Sequence, residues 1–121
     1  MKIEGDNMDR NSNNTEILWI TLKKVCEITC GMPVNIMLTT ELDQNLNSAT
    51  IFNGNEATIL LNASYCKSEN MIFKCVAHEA AHILEGNSVE GNSWKEREQA
   101  LYGRIEDEYV MAMERLRKGR I

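Results

Sequence analysis

Residues 78–82 read His-Glu-Ala-Ala-His, and these are the only two histidines in the chain. On a helix, positions i and i+4 share one face about 6 Å apart, so His78 and His82 can both reach a single ion while Glu79 projects to a neighbouring position. The two alanines between them are compact helix formers that let other elements approach closely. Two neutral imidazoles and one carboxylate suit zinc and leave a coordination position for water, whose pKa falls to about 7 on binding. Glu79 is then placed to take the proton of that water as it attacks a polarised peptide carbonyl, and to deliver it to the leaving amine.

A third ligand is needed. No further His exists and Cys favours structural sites, so it should be Asp or Glu on the helix that follows. If that helix starts near Trp94 and packs antiparallel to the His-bearing one, the level of His78 and His82 lies opposite a residue about five positions in, which is Glu98. At about 100° per residue, Leu101, Tyr102, Ile105, Tyr109, Ala112, Met113 and Leu116 form one apolar stripe, and Glu98 falls near its middle. A carboxylate on a core face is costly unless something neutralises it. Glu106 and Glu108 flank the same stripe further along and are the alternatives.

The elements that must position these groups follow from periodicity. Residues 1–14 are polar and Asn-rich and read as a flexible tail. Ile17, Leu18, Ile20, Val25 and Ile28 recur at helical spacing, and Gly31 followed by Pro33 ends that helix. Val34–Thr40 is β-prone. Ala49–Phe52 faces Ala57–Leu61 across Asn53-Gly54-Asn55, a strong hairpin signal. Ser68 reads as the N-cap of a second helix over Met71–Leu84 that ends at Gly86, and Ser93-Trp94-Lys95-Glu96 as a capping box opening a third that runs to about Lys118. The expectation is an α+β fold: one small zincin-like domain over 15–121, with a helix, a mostly antiparallel three-stranded sheet, the His-bearing helix and a C-terminal helix.

The His-Glu-Ala-Ala-His segment followed by a glutamate on the next helix resembles the zincin metallopeptidases, in their gluzincin arrangement. Glu98-Gln99-Ala100-Leu101-Tyr102-Gly103 is similar to the helix segment that supplies the glutamate ligand in small ImmA/IrrE-like peptidases, where Glu-Ala-Asn-x-Phe-Ala is usual. The strand Ala57–Asn62 is similar to the cleft-lining strand of that clan. The resemblance spans roughly residues 49–116, with only the H-E-x-x-H part specific. Gln99-Ala100 departs from the ImmA/IrrE pattern, and the size is closer to minimal gluzincins and small phage-encoded H-E-x-x-H proteins. Carried over by position, it implies His78, His82 and Glu98 as zinc ligands, Glu79 as general base, and a zinc-dependent endopeptidase acting on a protein or peptide. No oxyanion stabiliser is implied; Tyr65, Tyr102 and Tyr109 are candidates whose ordinary role is amphipathic packing.

Composition bounds the partners. The 121 residues carry a formal charge of −5, which opposes the phosphate attraction behind nucleic-acid affinity. No stretch approaches the roughly 20 apolar residues that span a bilayer, and the first residues lack the apolar run of a signal peptide, so a cytoplasmic protein is expected. Cys26, Cys30, Cys66 and Cys75 contain no C-x-x-C pair and read as buried reduced thiols, with a structural zinc site as the sharper alternative. A second reading of the whole keeps the metal but not turnover: an inactive zincin-like module, stabilised by its ion, that binds a protein partner.

Overall fold

The computed structural model describes the backbone of residues 5–85 and 92–119, and the side chains of residues 15–84 and 95–118. Its elements are α1 (Gly5–Cys30), β1 (Val34–Thr39), β2 (Ser48–Asn53), β3 (Glu56–Asn62), α2 (Glu69–Glu85) and α3 (Asn92–Gly119). The α+β class and the element order are those expected. The proposed stop at Gly86 and the side chain of Ser93 in the capping box lie outside the described residues.

Helix α1 begins at Gly5, inside the stretch read as a tail, rather than at Thr15. Asn, Asp and Ser each lower helix propensity by no more than about 0.7 kcal/mol, and no proline interrupts residues 5–30. Its buried stripe is Leu18, Thr21, Leu22, Val25 and Cys26, whereas Ile20 and Ile28 face solvent. The helix ends where Gly31 takes a left-handed φ of +68° and donates its N–H to the Glu27 carbonyl at 2.9 Å. Glu27 then receives the Val34 N–H at 3.0 Å and pairs with Lys23 at 3.0 Å, so the start of β1 is tied to the helix it has just left. The Val34 N–H, aided by Lys23, holds the Glu27 carboxyl below its usual range.

The sheet is mixed, with order β1-β3-β2, which corrects the mostly antiparallel expectation. β2 and β3 form the antiparallel hairpin, from Asn53↔Glu56 to Ser48↔Leu61, about Gly54 at φ +65°. β1 runs parallel to β3, from Val34↔Ala57 to Thr39↔Asn62. The reason lies in β3 itself. Ala57, Ile59 and Leu61 are fully buried on one face and Thr58 and Leu60 half-buried on the other, so this strand, apolar on both faces, takes the centre.

Residues 40–47 therefore cross the end of β3 to connect β1 with β2. Asn62, buried at that end, holds the crossing. Its side chain donates to the Leu46 carbonyl at 2.8 Å, its N–H donates to the Asn47 carbonyl at 2.9 Å, and its Oδ1 accepts the Ser64 N–H at 2.9 Å.

α2 lies against β2 and β3, α1 against β1, and α3 packs on α1 and α2. Ser68 caps α2 as expected, its Oγ accepting the Met71 N–H at 3.3 Å. Ile72, Phe73, Val76, Ala77, Ala80 and Ala81 bury the inward face of α2, and Leu101, Ile105 and Tyr109 that of α3. Phe73 stands edge-on to Tyr102 and Tyr109, with centroids 6.4 and 5.5 Å away. No described helix is long and apolar enough to cross a membrane.

Candidate functional site

Helix α2 delivers His78 and Glu79 to the cleft where β2 begins, with His82 one turn further along the helix against His78. The imidazoles of His78 and His82 stand nearly perpendicular, 79° apart in plane, with centroids 4.8 Å from one another. Their shared helical face makes this contact, as the i,i+4 spacing requires. From α3, Glu98 brings Oε2 to 3.5 Å from Nδ1 of His78. That separation is longer than an ordinary N–H···O bond. It is close to the roughly 3.3–3.4 Å edge expected between two ligands each about 2.0–2.1 Å from a tetrahedral zinc. Two imidazoles and a carboxylate are also the right donor types. Among the described residues, no three His, Cys, Asp or Glu side chains converge on one point as they stand.

Glu79 projects the other way, toward the sheet, and is 6% exposed. Ser48 Oγ donates to its Oε2 at 2.8 Å, and Thr50 Oγ1 donates to its Oε1 at 2.5 Å. Ser48 and Thr50 are two apart on β2 and so share the face turned to α2. The hydroxyls meet the need of a desolvated carboxylate for donors.

Beside these groups lies a cleft of about 300 Å³ whose walls are Asn45–Ser48, Tyr65, Lys74, Cys75, His78, Glu79 and Glu98. The wall from Asn45 to Asn47 is the segment held by Asn62. On the far side of Glu98 a second hollow of about 290 Å³ is lined by Lys74, Ala77, Lys95, Gln99 and Tyr102.

Of the three candidate glutamates, Glu98 is the one brought to His78. Glu108 lines a groove against Ile17, Thr21 and Lys24 of α1, and Glu106, half-buried on α3, is not on the cleft wall. Of the three tyrosines, Tyr65 stands in the cleft and Tyr102 beside it. Tyr109 belongs to the core: its hydroxyl donates to Glu69 Oε2 at 2.8 Å, and burial together with that carboxylate pushes it up to about 12.

The cysteines form separate pairs, none bonded as a disulfide. Cys66 and Cys75 approach to 3.7 Å, and Cys30 Sγ lies 3.9 Å from the Ala80 carbonyl. Burial pushes the Cys26 and Cys66 thiols up to about 12, helped by Cys30 and Cys75 respectively, and raises Cys30 as well.

Sequence reasoning did not single out Ser48, Thr50 or Asn62. The available signal was the alternation in Ser48-Ala49-Thr50-Ile51, where the polar residues share one strand face. Alternation alone does not say which of the two faces meets α2.

No family model matches the chain, and no curated protein and no solved structure matches it.

Proposed function

We propose that the chain is a zinc-dependent peptidase in which His78, His82 and Glu98 hold the ion and Glu79 handles the proton. The observation that carries this reading is the pairing of His78 Nδ1 with Glu98 Oε2 at 3.5 Å beside a cleft that the adjacent residue, Glu79, also lines. Bound there, zinc would polarise a peptide carbonyl and acidify water.

The chain's own groups supply the rest. Glu79 has roughly four lone-pair positions, of which the two hydroxyls take two, so it keeps acceptor capacity. It accepts a proton during attack and returns it to the departing amine. β2 is an edge strand, and its first residue, Ser48, lines the cleft. An extended peptide added along that edge would run past Glu79.

The test is Glu79→Gln. Zinc content stays near one per chain while hydrolysis falls by about 10²–10⁴-fold, the usual worth of a general base. Undiminished cleavage with zinc retained removes the reading.

A second reading, a metal-stabilised module that binds a protein partner without turnover, is favoured by one observation: both Glu79 oxygens are engaged by β2, which ties α2 to the sheet. It predicts no proteolysis across a peptide library, and partner binding by Glu79→Gln at wild-type affinity.

A further inference from the structure

We propose that Ser48 and Thr50 are positioning residues for Glu79, so that one strand, β2, sets both the path of an added peptide chain and the orientation of the group that takes the proton. This rests on the reading of Glu79 as proton acceptor. The two hydroxyls grip opposite oxygens of the carboxylate, at 2.8 and 2.5 Å, so the carboxylate cannot turn about its last bond without breaking at least one of them. Both come from the same face of a single edge strand, and Ser48 is itself a wall of the cleft. A structural filler at this place would be better served by an apolar side chain, because a carboxylate 6% exposed bears a desolvation cost that an isosteric apolar group avoids. Two donors on one buried acid, at the mouth of a cleft, fix where its remaining lone pairs point. Any shift of β2 on receiving a partner strand is passed to Glu79 through these two bonds, which couples occupancy of the edge to alignment of the acceptor.

The experiment compares Ser48→Ala, Thr50→Val and the conservative Thr50→Ser in two measurements on the zinc-loaded protein. One is kcat and KM for a quenched-fluorescence peptide selected from a random library by wild-type cleavage. The other is the carboxyl carbon resonance of Glu79 in protein labelled at the glutamate side-chain carboxyl, assigned by its loss in Glu79→Gln. Ser48→Ala and Thr50→Val are each expected to lower kcat about ten- to hundredfold, as for lost hydrogen bonds to a charged group, with KM within about twofold. Thr50→Ser recovers kcat to within about threefold of wild type, since the donor is kept. The Glu79 resonance moves toward that of exposed glutamates in the first two variants and not in the third.

An unmoved resonance in Ser48→Ala and Thr50→Val overturns the proposal by removing the hydrogen bonds it stands on. A moved resonance with unchanged kcat overturns it by reducing the hydroxyls to a structural tie. Loss of activity in Glu79→Gln with no effect of either hydroxyl variant leaves the peptidase reading intact and overturns this inference alone. Absence of wild-type cleavage from the whole library overturns both. Should Thr50→Val fail to fold, the smaller Ser48→Ala change decides the same question.

Discussion

Nδ1 of His78 and Oε2 of Glu98 lie 3.5 Å apart, bridging two helices that also meet through apolar side chains and through the Tyr109–Glu69 hydrogen bond. The pair joins the middle of α2 to the second turn of α3, so the donor set depends on how those helices dock as much as on the His-Glu-Ala-Ala-His motif. Glu98→Ala should weaken zinc binding on the order of 100-fold or more, because losing a mere partner of a ligand already costs 10–100-fold. Glu106→Ala and Glu108→Ala should leave zinc binding at the wild-type level. Competition with a chromophoric chelator measures all three; equal losses from the three variants would show that Glu98 has no special place.

Asn62→Ala should cost about 1–3 kcal/mol, since it removes two hydrogen bonds made by a buried side chain, one donated to the Leu46 carbonyl and one accepted from the Ser64 N–H. Because residues 45–47 form one side of the cleft, the same change should raise their amide hydrogen exchange. Urea unfolding followed by exchange measurement tests both. A loss under about 0.5 kcal/mol, the ordinary range for a surface change, would mean that the crossing segment holds itself.

Ser68→Ala removes the cap of α2 and should cost about 1 kcal/mol, within the 0.5–2 range of such caps. For a domain of this size that corresponds to a fall of about 4 °C in Tm, read by calorimetry. Ser68→Asp, which keeps an acceptor at the helix start, should hold Tm near the wild-type value.

Alkaline pH should destabilise the fold through three buried groups. The Cys26 and Cys66 thiols and the Tyr109 hydroxyl are all pushed up to about 12 in the folded chain, chiefly by burial. In the unfolded chain they ionise near their ordinary values, about 8.5 for Cys and about 10 for Tyr. Folded values above unfolded ones mean that their contribution is complete below about pH 8.5 and is lost as pH climbs toward 12. The urea midpoint should therefore drop between pH 8 and pH 10, and less so in Tyr109→Phe. At pH 8 the Cys26 and Cys66 thiols stay protonated in the folded state. Iodoacetamide should leave both unmodified until urea is added; rapid labelling of both in native protein would contradict this burial.

Much of this architecture could be read from residue order because local signals agreed with one another. The Gly31–Pro33 stop, the Asn53-Gly54 turn and the Ser68 cap each have a mechanism confined to a few residues, and each is found where the pattern put it. Glu98 was reached from helix geometry and a short connection, both of which are local quantities. What escaped was non-local. The parallel pairing of β1 with β3 depends on which strand is apolar on both faces, and periodicity alone does not rank neighbours. The inward turn of Ser48 and Thr50 depends on a carboxylate 29 and 31 residues later that requires donors. The helical start at Gly5 had no signal of its own, since Asn and Asp serve tails, caps and helices alike.

The middle strand of the sheet is the last of the three to be synthesised. Between the end of β1 at Thr39 and the end of β3 at Asn62 the ribosome adds 23 residues, about 1–5 s of translation, during which β1 and β2 have no native neighbour to bond with. Sheet assembly must wait for that final segment, which pairs on both flanks. A chain released before Asn62 would carry two orphan strands and neither of the helices that bear the cleft.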